Sequence, residues 1–163
     1  MNIFTVDGKI DKAKLAKSIL IPVAGGMITG LIATKNSKRI YARLKKPDIS
    51  PPSWVFPVVW TSLYTMMGTA NYRVSMKEAP TSKANALYAI QLGLNYLWPF
   101  LFFRWKLRGT ALADIAALLP AVAGTAYKYY QKDKTAGTFM IPYILWVAFA
   151  LNLNQKIWKL NRP

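Results

Sequence analysis

The sequence predicts an all-α integral membrane protein, a single bundle of five transmembrane helices. Three observations predict it. Of the 163 residues, 53% are hydrophobic, and the charges gather in clusters between apolar blocks. Five blocks approach the roughly 20 apolar residues that an α-helix needs to cross about 30 Å of hydrocarbon. The connections between the second and fifth blocks are too short to hold a soluble domain.

The first helix is placed at about 18–34, after Lys9, Lys12, Lys14 and Lys17 and before Lys35, Lys38 and Arg39. It has the length of a signal-peptide core, but no small-residue cleavage site follows it, so it reads as a retained helix. The others are placed at about 54–74, 84–103, 110–130 and 139–158. The first loop, 35–53, is the longest connection and carries six basic residues. It ends in the run Ser50-Pro51-Pro52-Ser53-Trp54-Val55-Phe56-Pro57, which leads to Trp60 and Tyr64. Its prolines fix φ and remove backbone donors, making a stiff entry to the second helix. Its rings supply flat apolar faces. A long ordered loop of this kind is a functional candidate.

Charge and composition remove several function classes. The formal charge of +16 invites a nucleic-acid partner. The basic residues, however, sit in short segments flanking apolar spans rather than on one continuous face, so no nucleic acid is expected. Anionic lipid beside the membrane accounts for them. Lys9, Lys12, Lys14, Lys17, Arg73, Lys77, Lys83, Lys128, Lys132 and Lys134 fall at one end of the bundle, and the other twelve of the 22 at the opposite end. That margin leans toward a cytoplasmic carboxy terminus without deciding it. There is no cysteine and no histidine. The chain therefore has no disulfide, thiolate metal site, imidazole base or imidazole haem ligand, and no metal is expected. The six acidic residues, Asp7, Asp11, Asp48, Glu78, Asp114 and Asp133, are scattered. No Ser/His/Asp set, carboxylate pair or phosphate loop is present, so no conventional catalytic residue is assigned.

At about 100° per residue, Trp60, Tyr64, Met67 and Asn71 share one face of the second helix. Gln91, Asn95, Trp98 and Phe102 share one face of the third, and Tyr143, Trp146, Ala150 and Asn154 one face of the fifth. Asn152 points the other way. Polar groups at membrane depth are costly and face the bundle interior. Taken singly, Gln91, Asn95, Asn154 and Asp114 are equally well explained as interhelical glue. Taken together, three stripes of rings and amides describe a cavity for an apolar guest. Trp105 and Trp158 stand beside basic residues at helix ends and read as interfacial belts. Asp114, near the start of its helix, suits the positive end of the macrodipole. Gly26 and Gly30 make a GxxxG match, read first as close packing inside the bundle and second as a dimer seam.

These residues resemble the TspO/translocator protein family, also called tryptophan-rich sensory proteins or peripheral-type benzodiazepine receptors, in a bacterial-type member. The resemblance covers about 47–161. It rests on Pro52-Ser53-Trp54-Val55-Phe56-Pro57, Trp60-Thr61-Ser62-Leu63-Tyr64 with Met67-Gly68, and Gln91-Leu92-Gly93-Leu94-Asn95 with Trp98-Pro99 and Phe102-Phe103. Asp114, Pro142-Tyr143-Ile144-Leu145-Trp146 and Asn154 complete it.

The resemblance implies a five-helix bundle, a homodimer, and a pocket covered by the first loop as a lid. It implies binding of porphyrins such as protoporphyrin IX, held as a ligand rather than as a fixed cofactor. It places Trp60, Asn95, Trp98, Trp146 and Ala150 at the pocket. With the stripes and the aromatic entry, the full candidate ligand-binding set is Trp54, Trp60, Tyr64, Gln91, Asn95, Trp98, Tyr143, Trp146, Ala150 and Asn154. Some bacterial members promote light- and oxygen-dependent porphyrin breakdown through tryptophans matching Trp60 and Trp146, which makes these the candidate catalytic residues.

The cholesterol motif of animal members needs a tyrosine where this chain has Gln155, so cholesterol is not expected. A metal-free porphyrin needs stacking surface and polar contacts to its propionates, which the basic first loop could neutralise. The leading expectation is a porphyrin-binding sensor or regulator in the bacterial cell membrane. The alternatives are a light-driven porphyrin-degrading activity and a transporter of porphyrin or other lipophiles. Five helices without a visible internal repeat speak against alternating access.

Overall fold

The computed structural model describes residues 3–77 and 82–162, with Ser82 described by its backbone alone. Within them the chain is all-helical. The elements are α1 (Lys12–Ala33), α2 (Ser37–Arg43), α3 (Val55–Lys77), α4 (Ser82–Pro99), a π-helical turn (Phe100–Arg104), α5 (Arg108–Lys132), α6 (Lys134–Phe139) and α7 (Ile141–Asn161). Four spans are long and apolar enough to cross a membrane: Lys12–Ala33, Lys83–Arg104, Arg108–Lys132 and Lys134–Asn161. With that family of spans the chain is a multi-pass membrane protein. α3, at 23 residues, matches them in length. Its hydropathy is lowered by Thr61, Ser62, Thr65, Thr69, Asn71 and Arg73, so the expected count of five spans rests on α3.

The hydroxyls on α3 explain how a polar helix fits an apolar bundle. Thr61, Ser62, Thr65 and Thr69 each donate to the carbonyl four residues earlier, at 2.8–3.0 Å. These four hydroxyls therefore carry no free donor into hydrocarbon. α3 packs on α1, α5, α6 and α7, while α5 packs on α4, α6 and α7. Leu63, Met67, Ala70 and Val74 of α3 meet Ile115, Leu118 and Val122 of α5 and Tyr143, Val147 and Ala150 of α7 in one core. α1 lies outermost, with Leu20, Ile21, Met27, Ile28, Leu31 and Ile32 all more than half exposed. Such a face suits lipid contact.

Helix ends differ from the sequence expectation in two places. α1 begins at Lys12, not near residue 18, because Asp11 caps it by accepting the Lys14 N–H at 2.9 Å. Lys12, Lys14 and Lys17 are thus part of the helix, their long stems able to reach out of the apolar zone, while Lys9 precedes it. The first loop is not an irregular connection throughout, since α2 occupies its first half. α3 opens at Val55 with Pro57 inside the first turn, where a missing N–H costs nothing.

The glycines of α1 and α3 serve packing. A Cβ on Gly68 would meet the Ser18 carbonyl oxygen at 2.5 Å and the Ile19 Cα at 2.8 Å, so glycine is what lets α1 and α3 touch backbone to backbone. Gly26 faces the Tyr64 ring, whereas Gly30 meets open space. The two halves of the GxxxG match therefore face different surroundings, and the Gly26 half is interior packing.

Candidate functional site: an aromatic cavity under the first loop

A cavity lies between α3, α4, α5 and α7 at the end of the bundle covered by the first loop. Phe56, Trp60, Asn95, Trp98, Ile115, Leu118, Trp146 and Ala150 line it. Helical spacing brings Phe56 and Trp60 into it from α3, Asn95 and Trp98 from α4, and Trp146 and Ala150 from α7. The rings meet edge to face. Trp60 and Trp146 stand 6.4 Å apart at 89°, and Phe56 and Trp146 6.1 Å apart at 71°. Trp98 stacks on Phe102 at 4.9 Å, just past Pro99, where the helix relaxes into the π turn. The free volume is about 10 Å³, space for one water at most.

Behind the rings runs a buried chain of hydrogen bonds. Tyr64 donates to Asn95 Oδ1 at 2.6 Å, and Asn95 Nδ2 donates to the Tyr143 hydroxyl at 2.5 Å. Tyr143 donates in turn to Gln91 Oε1 at 2.8 Å, and Gln91 Nε2 reaches Met67 Sδ at 3.8 Å. One polar string thereby ties α3, α4 and α7 together, every member satisfied by the next. A second link joins α4 to α7. Trp98 Nε1 donates to Asn154 Oδ1 at 3.0 Å, and Asn154 Nδ2 donates to the Arg108 carbonyl at 3.1 Å.

Trp146 Nε1 and Asp114 Oδ2 are buried without a hydrogen bond. An orphaned buried donor or acceptor costs about 1–3 kcal/mol, so each marks a place where an incoming polar group is rewarded. Asp114 is the seventh residue of α5, which begins at Arg108. It is too far along to complement the macrodipole, whose effect is confined to the first turn.

The loop closes over the rings. Tyr41 of α2 is buried, meets Phe56 edge to face at 5.6 Å, and donates to the Pro51 carbonyl at 3.0 Å. At its far end the loop is latched to α7. The Lys45 N–H donates to Asn161 Oδ1 at 2.9 Å, and Asn161 Nδ2 returns a bond to the Lys45 carbonyl at 2.8 Å.

Of the ten residues in the sequence-derived set, Trp60, Asn95, Trp98, Trp146 and Ala150 line the cavity. Tyr64, Gln91, Tyr143 and Asn154 stand behind it, holding those side chains through the hydrogen bonds above. Trp54 is not brought to the cavity. It is 66% exposed, because α3 starts one residue later and leaves it on the outer side of the turn. Phe56, Ile115 and Leu118 were missed. Phe56 sits four residues before Trp60, so extending the aromatic stripe back one turn would have found it. Ile115 and Leu118 carry no signal that separates a cavity wall from ordinary core.

Residues 18–159 match the TspO/MBR family. The tryptophan-rich sensory protein of Cereibacter sphaeroides is 42% identical over 121 residues, covering 74% of this chain and 76% of that protein. The human translocator protein is 37% identical over 147 residues, covering 87% and 86%. The tryptophan-rich protein TspO of Archaeoglobus fulgidus is 36% identical over 150 residues, covering 91% and 97%. The four-helix convergence of rings and amides, the match over nearly the whole chain and these relatives together establish that the chain belongs to the TspO/MBR family.

Proposed function

We propose that this protein binds a flat, metal-free tetrapyrrole of the protoporphyrin IX type in the aromatic cavity, and that binding serves a sensing or regulatory role in porphyrin metabolism. The observation that carries the reading is the lining itself. Four aromatic side chains, Phe56, Trp60, Trp98 and Trp146, surround a single amide, Asn95, and the Trp146 N–H lacks a partner. Large rings supply stacking area, while the amide and the free indole N–H orient a polar edge. In this proposal α3 is the fifth membrane crossing, and the protein resides in a bacterial cell membrane.

A cavity of about 10 Å³ is far below the several hundred Å³ of an open ligand pocket, so entry requires the loop to lift. The loop is therefore the lid, and the Lys45–Asn161 bonds are its latch. The test uses the absence of natural cysteine. A Lys45→Cys/Asn161→Cys variant is oxidised, and protoporphyrin IX is titrated in the dark while tryptophan fluorescence is followed. Saturable quenching is expected in the wild type, loss of quenching in the oxidised variant, and recovery on reduction. Non-saturable quenching in the wild type, or equal binding with the loop locked, would refute the proposal.

A second reading, light-driven breakdown of the bound porphyrin, is favoured by the perpendicular Trp60–Trp146 pair on the cavity wall. A new absorbing product under light and oxygen, lost in Trp60→Phe/Trp146→Phe, separates it from binding alone.

A further inference from the structure

At the end of the bundle away from the aromatic cavity, a second depression of about 360 Å³ opens between α1, α3 and α4. Its polar lining is nearly all donors. Lys14 and Lys17 reach it from α1, Asn71 from α3 and Tyr88 from α4. Lys14 Nζ spends one of its three donors on the Ser75 carbonyl at 3.1 Å. Asn71 accepts the Tyr129 hydroxyl at 2.8 Å through its Oδ1, which leaves its amide nitrogen as the remaining donor. The Tyr88 hydroxyl is buried and has no partner, although its ring is fixed by stacking on Tyr129 at 6.2 Å and 22°. One carboxylate, Asp11, also lines the space, and its Oδ1 is engaged in capping α1. The site thus presents two ammonium groups, an amide, the Ser18 hydroxyl and the orphaned Tyr88 hydroxyl against one carboxylate with one oxygen engaged, a net positive lining that complements an anion.

The lower wall is different. It is apolar, made by Ile21 and Pro22, and Ile21 is 64% exposed on the lipid-facing side of α1. Lys14 lies two residues and Lys17 five residues into α1, and Tyr88 six into α4, so the donors span about 3–9 Å below the helix ends at a rise of 1.5 Å per residue. That is headgroup depth for a helix that enters the bilayer here. A soluble anion has no use for the apolar wall, whereas an amphiphile uses both halves.

The depression is also held rigid from above. Residues 3–11 fold back over this end of the bundle. Tyr72 donates its hydroxyl to the Phe4 carbonyl at 3.1 Å and accepts the Asp11 N–H at 3.1 Å. Arg73 Nη1 donates to the Ile3 carbonyl at 2.6 Å, and Val6 is 3% exposed. Asp11, the residue that caps α1, is therefore anchored to α3, and this fixes the separation of the two helices that form the walls.

We infer that this depression is a binding site for one anionic phospholipid, its phosphate held by Lys14, Lys17 and Tyr88 and its acyl chain lying along Ile21. The experiment is native mass spectrometry of the full chain in detergent, with phosphatidylglycerol or phosphatidylcholine added in matched amounts. The wild type is expected to retain one phosphatidylglycerol in preference to phosphatidylcholine. Lys14→Gln and Lys17→Gln should each weaken retention roughly fivefold, in line with about 1 kcal/mol per basic residue near an anionic surface. Tyr88→Phe, which keeps the ring and its stacking, should weaken it about fivefold by removing one hydrogen bond. Lys156→Gln/Lys159→Gln, at the opposite end, should leave it unchanged.

Equal retention of both lipids would overturn the inference. So would an equal loss in the Lys156/Lys159 variant, which would mean diffuse surface attraction, or displacement of the lipid by inorganic phosphate, which would mean a soluble-anion site. If the lysine variants do not fold, undiminished retention by Tyr88→Phe is sufficient to overturn it.

Discussion

The two ends of this bundle are built on opposite principles. At one end, α3, α5 and α6 meet through ions. Arg73 makes two bonds to Asp133, at 3.1 and 2.9 Å, and Lys77 stands 3.6 Å away. Asp133 also accepts the Ala136 N–H at 2.7 Å and so caps α6. Both carboxylate oxygens of Asp133 are hydrogen-bonded, and residues 3–11 cover the arrangement. At the other end, rings meet rings, the Trp146 N–H has no partner, and the covering loop is held by Tyr41, Phe56 and the two latch bonds at Asn161. The directional, charge-assisted contacts around Asp133 fix a geometry, and edge-to-face rings tolerate rearrangement. The difference teaches where motion is affordable: the ionic end clamps the helices so that the aromatic end can part.

The largest effect should come from breaking the clamp. Arg73→Ala leaves Asp133 buried without its main partner and should cost about 3–5 kcal/mol, read as a fall in the thermal unfolding midpoint in detergent. Arg73→Met/Asp133→Leu should recover much of that loss, because the uncompensated charge is gone. Next comes Gly68→Ala, which drives a methyl group into the α1 backbone and should cost about 1–3 kcal/mol in the same assay. Asn95→Leu should cost a similar or slightly smaller amount, since it orphans the Tyr64 hydroxyl while Tyr143 keeps Gln91. It should also abolish porphyrin quenching if the amide orients the guest. The smallest effect on stability belongs to Trp146→Phe, within about 1 kcal/mol, because the indole N–H it removes satisfies nothing. A large loss of stability there would erase the contrast between the two ends.

The clamp also has a pH signature. Burial alone would raise the Asp133 carboxyl. The bonds from Arg73 and the Ala136 N–H, with the charges of Arg73 and Lys77, outweigh it and hold the group below the ordinary carboxylate range. A lowered folded-state value means that the carboxylate's contribution is complete above the unfolded value, about 4, and is lost as pH falls through the lower folded value. Asp133's contribution to the unfolding midpoint should therefore be complete above about pH 5 and decline below it, and Asp133→Asn should remove that part of the acid decline. An unchanged acid limb in the variant would assign the decline to other carboxylates.

Much of this was legible in the chain. Apolar blocks of the right length located the helices, and the 3.6-residue period placed Trp60, Asn95, Trp98 and Trp146 on faces that the fold brings to one cavity. The ionic end was not legible. Arg73 and Asp133 are 60 residues apart and carry no local pattern, so their pairing exists only once α3 and α6 are packed. The same holds for the Lys45–Asn161 latch, whose partners are 116 residues apart. Trp54 and Phe56 show the limit most clearly. Both are large rings in one short run, and the start of α3 at Val55 falls between them, leaving Trp54 in the outer turn and carrying Phe56 into the cavity.

By itself, then, the sequence determined the helical class, the membrane environment and the faces that carry rings and amides, because hydrophobicity and periodicity are local properties. The tertiary structure alone decided which polar atoms find partners, how nearly the cavity is closed and where the second, cationic depression forms. Those depend on distances between helices far apart in the chain, which no local pattern encodes.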